Sequence, residues 1–81
     1  MTVRVLLFSA LRERIGSPSM VVDVESAASA REVIDELADR YPVLNAYRPF
    51  MRVAVNRQYS ELDVQLTEGD ELALITPVSG G

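Results

Sequence analysis

The chain contains no cysteine, no histidine and no lysine; all 8 of its basic residues are arginine. Without cysteine it has no disulfide, no thiolate nucleophile, no iron–sulfur cluster and no persulfide. Without histidine it lacks the usual general base near neutral pH and the commonest metal ligand. Without lysine it offers no Schiff-base amine and no side-chain acceptor for an isopeptide bond. These absences argue against self-sufficient catalysis, and no metal site is expected. The arginine bias by itself reads as genome composition.

Positive charge is scarce as well. A net charge of −4 and a pI near 4.6 argue against a nucleic-acid partner, because phosphate binding needs a clustered basic surface. No apolar run approaches the roughly 18 residues of a membrane span, and the N-terminus lacks a signal-peptide pattern. No membrane partner is expected, and the expected location is cytoplasmic. There is no phosphate-cradling glycine loop either, so the chain is expected to bind no cofactor of its own.

Eighty-one residues with 48% apolar and 25% charged content make one globular domain with a core that needs no staples. Residues 2–8 read as a strand, with Val3, Val5 and Leu7 facing one way and Arg4, Leu6 and Phe8 the other. Residues 9–16 read as a short helical turn, Leu11 and Ile15 on one face and Gly16 closing it as a left-handed cap. Residues 20–24 form a second strand with Met20, Val22 and Val24 inward. Ser29 and Glu32 make a capping box that opens the one clear helix. Its apolar stripe is Ala30, Val33, Ile34, Leu37, Ala38 and Tyr41, and Pro42 stops it. Arg31 with Asp35, and Glu36 with Arg40, are spaced to pair along its wet side. A loop to Pro49 follows, then a strand over 51–56, a turn at 56–58 and a short strand from Tyr59. Residues 62–66 alternate briefly, Gly69 supplies positive φ to a turn, and 71–76 form the last strand.

One long helix covers only one face of a sheet of this size. The element order predicts an α+β fold of the β-grasp (ubiquitin-like) type, a mixed four- to five-stranded sheet covered on one face by one main helix. The domain is expected over residues 1–76, with a flexible tail over 77–81. On the sheet's second face, alternation collects Leu6, Phe8, Ala54, Ala73 and Ile75, with Tyr59 beside them and Arg4 and Arg52 at the margin. An apolar centre edged by arginine is how partner surfaces are commonly composed, although single surface hydrophobics are also normal.

Glycine is as informative as the absences. Only 4 occur, and two of them are Gly80 and Gly81 at the end of the chain. Lacking Cβ, they fit a channel too narrow for side chains and leave the terminal carbonyl open to attack. The same dipeptide also fits a merely frayed end. From Pro77 the five last residues reach at most about 16–18 Å. That length lets the sheet dock on a partner while the terminus enters the partner's active site.

The segment Leu6 to Gly16, the triplet Ala54-Val55-Asn56, and Leu66 to Glu71 together with the ending Pro77-Val78-Ser79-Gly80-Gly81 resemble the small subunit of molybdopterin synthase, a ubiquitin-like sulfur carrier, along almost the whole chain. The resemblance implies a non-catalytic, sulfur-donating subunit of a transferase. A ubiquitin-activating-like adenylating enzyme would use ATP to convert the Gly81 carboxylate to an acyl-adenylate, and a sulfur donor would displace AMP to leave a thiocarboxylate. The loaded tail would enter the large subunit, with which it forms a heterotetramer, and give sulfur to a cyclic pyranopterin monophosphate to build the molybdopterin dithiolene. Gly81 is then the sulfur-carrying residue and Gly80 its companion. Phe8, Arg12, Tyr59, Ile75, Pro77, Val78 and Ser79 fall at partner-binding positions. Phe8 and Arg12 match the family's residue types, whereas Tyr59 and Ile75 stand where it often has other apolar or aromatic side chains. A solvated turn charge is the plain alternative for Arg12. The rival functions are a sulfur carrier for thiazole, transfer-RNA or cysteine synthesis, a ubiquitin-type protein modifier, and a plain interaction module with an inert tail.

Overall fold

Alternation at the start of the chain produces strand β1 (Thr2–Leu7), with Val3, Val5 and Leu7 buried and Arg4 exposed. The computed structural model describes residues 1–76. The expectations placed on Pro77, Val78, Ser79, Gly80 and Gly81 lie outside the described residues. After β1, helix α1 (Ser9–Ile15) buries Leu11 and ends at Gly16, whose φ of 87° lets its N–H donate to the Arg12 carbonyl at 2.9 Å. Strand β2 (Ser19–Asp23) then returns antiparallel to β1, setting Met20 beside Val5 and Val22 beside Val3.

The main helix, α2 (Ala30–Arg40), opens on the expected capping box. The Glu32 N–H donates to Ser29 Oγ at 3.2 Å, and the Ser29 N–H donates to Glu32 Oε1 at 3.0 Å. Such a cap stabilises a helix by about 1 kcal/mol. The Ala30 and Arg31 N–H groups find partners elsewhere, donating to the Val64 and Leu62 carbonyls at 3.0 and 2.9 Å. This explains the brief alternation over 62–66. The segment is not a strand; a single bridge pairs Gln65 with Ser29, and its carbonyls cap α2 while Leu66 enters the core.

Two expectations change. The stretch read as a loop folds into two 3₁₀ turns, Pro42–Ala46 and Arg48–Phe50, because Leu44 is wholly buried and a proline pre-sets φ in each turn. The ion pairs on α2 also differ from those its spacing suggested. Among the described residues Arg31 pairs with Asp63 at 3.1 Å and Asp35 with Arg48 at 2.5 Å. The 62–66 segment and the second 3₁₀ turn carry Asp63 and Arg48 to within ion-pair distance of the helix.

Strands β3 (Arg52–Val55), β4 (Gln58–Ser60) and β5 (Glu71–Ile75) complete a five-stranded sheet of order β2-β1-β5-β3-β4. The central pair β1 and β5 is parallel and the rest are antiparallel. Helix α2 lies across one face, where Val33, Ile34 and Leu37 meet Val5, Leu7, Val53, Leu72 and Leu74 in one core. The α+β arrangement expected from the sequence is the one observed.

Candidate functional site

Side chains alternate across a strand, so the residues between the core positions of β1, β3 and β5 point away from α2. Register lines them up across four strands: Leu6 beside Ala73, Ala73 beside Ala54, and Ala54 beside Tyr59. The two alanines are 8% and 6% exposed and form the floor of a depression of about 420 Å³. Leu6, Phe8, Tyr59 and Ile75 wall it, and Arg57 and Glu71 close one end. Phe8 is 42% exposed and Tyr59 71%. Two exposed aromatic rings around an apolar floor form a contiguous patch of the kind that marks interaction sites.

Local backbone choices place these walls. Phe8 is the last extended residue before α1, with φ −129° and ψ 158°, and Ser9 turns the chain with φ of 50°. At the other end, β3 and β4 are joined by two residues, Asn56 and Arg57, with φ of 49° and 72°. Positive φ at both positions marks the hairpin turn whose twist suits adjacent strands. Asn56 anchors it: its N–H donates to the Glu71 carbonyl at 2.9 Å, its Oδ1 accepts from the Glu71 N–H at 3.0 Å, and its Nδ2 donates to Asp70 Oδ1 at 2.9 Å. Asp70 Oδ2 in turn accepts from the Thr67 N–H at 2.8 Å. These bonds, the one from the Thr67 backbone first and that from the Asn56 side chain next, hold the Asp70 carboxyl below its ordinary value. The hairpin is thereby tied to the turn that precedes β5, where Gly69 takes φ of 82°.

The structure brings Phe8, Tyr59 and Ile75 together, as alternation predicted. Arg12 is exposed on α1 and does not line the depression. Arg57 and Glu71 were not singled out from the sequence. The two-residue turn was the available signal for Arg57, but the register that seats it at the rim comes only from the folded sheet. On the opposite side, Asp23, Glu25, Glu32, Asp35 and Glu36 line a polar cleft of about 540 Å³ beside α2. Among the described residues no group of histidine, cysteine, aspartate or glutamate is placed to hold a metal ion, and no helix is long and apolar enough to cross a membrane.

A mixed sheet with parallel β1 and β5 at its centre and one main helix across a single face is the ubiquitin-like β-grasp fold. Within that class, the chain belongs to the ThiS family, whose model matches residues 5–81. It is 34% identical over 79 residues to the molybdopterin synthase sulfur carrier subunit of Arabidopsis thaliana, covering 98% of this chain and 82% of that one. It is 35% identical over 80 residues to the subunit of the same name from Mycobacterium tuberculosis, covering 98% and 96%. Among solved structures, SAMP1 from Haloferax volcanii superposes with a TM-score of 0.89 at 32% identity, over 100% of both chains. A chain from the complex of subunits 1 and 2 of the molybdopterin-converting factor of Helicobacter pylori shares the fold, with a TM-score of 0.71 at 22% identity over 100% of both chains.

Proposed function

We propose that this chain is the sulfur carrier subunit of a molybdopterin synthase, with its own terminal carboxylate as the reacting group. The observation that carries the reading is the apolar depression beside the end of β5, the strand that leads into residues 77–81. Ile75 forms part of its wall, so the docking surface and the Gly81 carboxyl are separated by a short stretch of chain. Family membership and the sulfur carrier relatives support the same reading.

The chemistry follows from what the chain lacks. With no thiol, sulfur can be held only on a carboxyl group, and with no phosphate-binding loop the activation comes from a separate adenylating enzyme. There the Gly81 carboxylate attacks the α-phosphate of ATP, releasing pyrophosphate and leaving an acyl-adenylate. A sulfide-level donor attacks the acyl carbon and expels AMP, giving the thiocarboxylate. In the large subunit the thiocarboxylate sulfur attacks an oxygen-bearing carbon of the cyclic pyranopterin precursor, and the C–O bond there breaks with the oxygen leaving as water or on phosphate. Hydrolysis of the acyl–sulfur link leaves the sulfur on the pterin and returns the carrier as its carboxylate; two loaded chains supply the two sulfurs of the dithiolene. Gly80 gives the terminus the slimness to enter both active sites. Pro77, Val78 and Ser79 bind the partner together with Arg12, and Phe8, Tyr59 and Ile75 dock the sheet. One terminus cannot occupy two active sites at once, so the same face serves the adenylating enzyme and the large subunit in turn, in the cytoplasm. The assembly with the large subunit is a heterotetramer, and this chain binds no cofactor itself.

The likeness to SAMP1, a small archaeal modifier protein, favours a second reading in which Gly81 is joined to lysines of other proteins. Deletion of Gly81 tests the carrier reading. The truncated chain is expected to fold normally and to support no molybdopterin formation with purified partners; wild-type product yield from it would end the proposal.

A further inference from the structure

Arg57 occupies a backbone position that suits glycine. Its φ of 72° places it in the left-handed region, at the second position of a two-residue hairpin where glycine is the strain-free choice. Asn56, the first position, tolerates this conformation and is anchored through three hydrogen bonds to Asp70 and Glu71. For Arg57 no such bond is present among the described residues. Its side chain is exposed and lies at the rim of the apolar depression. A strained non-glycine residue whose side chain makes no hydrogen bond or ion pair among the described residues points to a role for that side chain outside its own fold.

Charge is partitioned in the same sense. The two ion pairs among the described residues use Arg31 and Arg48, both on the α2 side. Of the six arginines that take part in neither, Arg4, Arg52 and Arg57 lie on the open side of the sheet, Arg12 and Arg14 on α1 and Arg40 at the end of α2. Although the chain carries a net −4, Arg57 lines the depression with Glu71 as its acidic member, and register sets the exposed Arg4 beside Glu71 and the exposed Arg52 beside Ile75. Glu32, Asp35 and Glu36 of α2 lie on the other side, lining the polar cleft.

Resting on the docking face proposed above, we infer that Arg57 is a specificity-determining residue of that face, pairing with a carboxylate on a partner protein whose matching surface is apolar at its centre and acidic at its edge. A guanidinium suits this task because its planar fork accepts a carboxylate in two parallel hydrogen bonds and stays charged at all working pH. Beside an apolar contact the pair is sheltered from water, and it rejects partners that present a cation there.

Arg57→Gly makes the inference testable, since strain and binding predict opposite effects. Titration calorimetry against the purified large subunit of molybdopterin synthase, at low and high salt, is run with wild type, Arg57→Gly and Arg57→Glu. The glycine variant should melt at or above the wild-type temperature, by up to about 5 °C for a domain of this size. It should nonetheless bind about tenfold more weakly and with a shallower salt dependence. Arg57→Glu should bind more weakly still. Wild-type affinity in both variants would overturn the role of Arg57 and leave the docking face standing. No binding by wild type would overturn the docking face and this inference together. A glycine variant that loses stability and affinity in parallel would also contradict it, because Arg57 would then be a structural residue.

Discussion

Ala54 and Ala73 are cross-strand partners on β3 and β5, and their methyl groups are the floor of the depression on the sheet's open face. Larger residues at either place would fill it. The pair sits at the centre of a row that runs from Leu6 to Tyr59, so the concavity depends on two small side chains meeting in register.

Ala54→Leu is therefore expected to fill the depression from below while the core behind the sheet stays intact. The added side chain projects into open volume, and stability should change by no more than about 1 kcal/mol. Binding to the adenylating enzyme and to the large subunit should both weaken at least tenfold, about 1.4 kcal/mol. If calorimetry shows only one complex affected, the two partners do not share this face.

Acid titration of stability should report Asp70. Its carboxyl is held below the ordinary 3.8 by the Thr67 N–H and the Asn56 amide. A lowered folded value means that the ionised form is bound more tightly in the folded state. The stabilisation is fully present above the unfolded value and is lost as pH falls through the folded one. Urea melts of wild type and Asp70→Asn should differ most near neutral pH and converge below about pH 3.8. A gap that stays constant with pH would show that the charge on Asp70 is not what ties the turn.

Thr76 predicts a gain. It is 5% exposed, and its Oγ1 has no hydrogen-bond partner among the described residues. A buried hydroxyl left unpaired costs about 1–3 kcal/mol in desolvation. Thr76→Val keeps the shape, removes the hydroxyl and should raise the unfolding free energy by about 1 kcal/mol. A destabilised valine variant would mean that the hydroxyl is bonded in solution.

The parts of this fold legible in the sequence are those governed by local rules. Alternation gave the facing of Val3, Val5 and Leu7 and of Phe8 and Ile75; the Ser29–Glu32 box gave the start of α2, and Pro42 its end. What escaped depends on contacts distant in sequence. Leu44 is core because the chain folds back over α2, which nothing between residues 42 and 50 announces. Residues 62–66 alternate without joining the sheet, because their carbonyls meet the open N-terminus of α2. Arg31 and Asp35 found partners at Asp63 and Arg48 for the same reason. Within the site, the apolar walls were readable from the strand period, whereas Arg57, Glu71 and the paired alanine floor required the register of β3 against both neighbours.

The central claim is that Gly81 carries sulfur. Incubating the full chain with ATP, the adenylating enzyme and a sulfur source, then weighing the intact protein and its C-terminal peptide by mass spectrometry, tests it most directly. The expected product is a free chain heavier by the difference between one sulfur and one oxygen, with the change confined to Gly81. Covalent conjugates to lysines of other proteins, with no sulfur-bearing free chain, would contradict it and establish the modifier in its place.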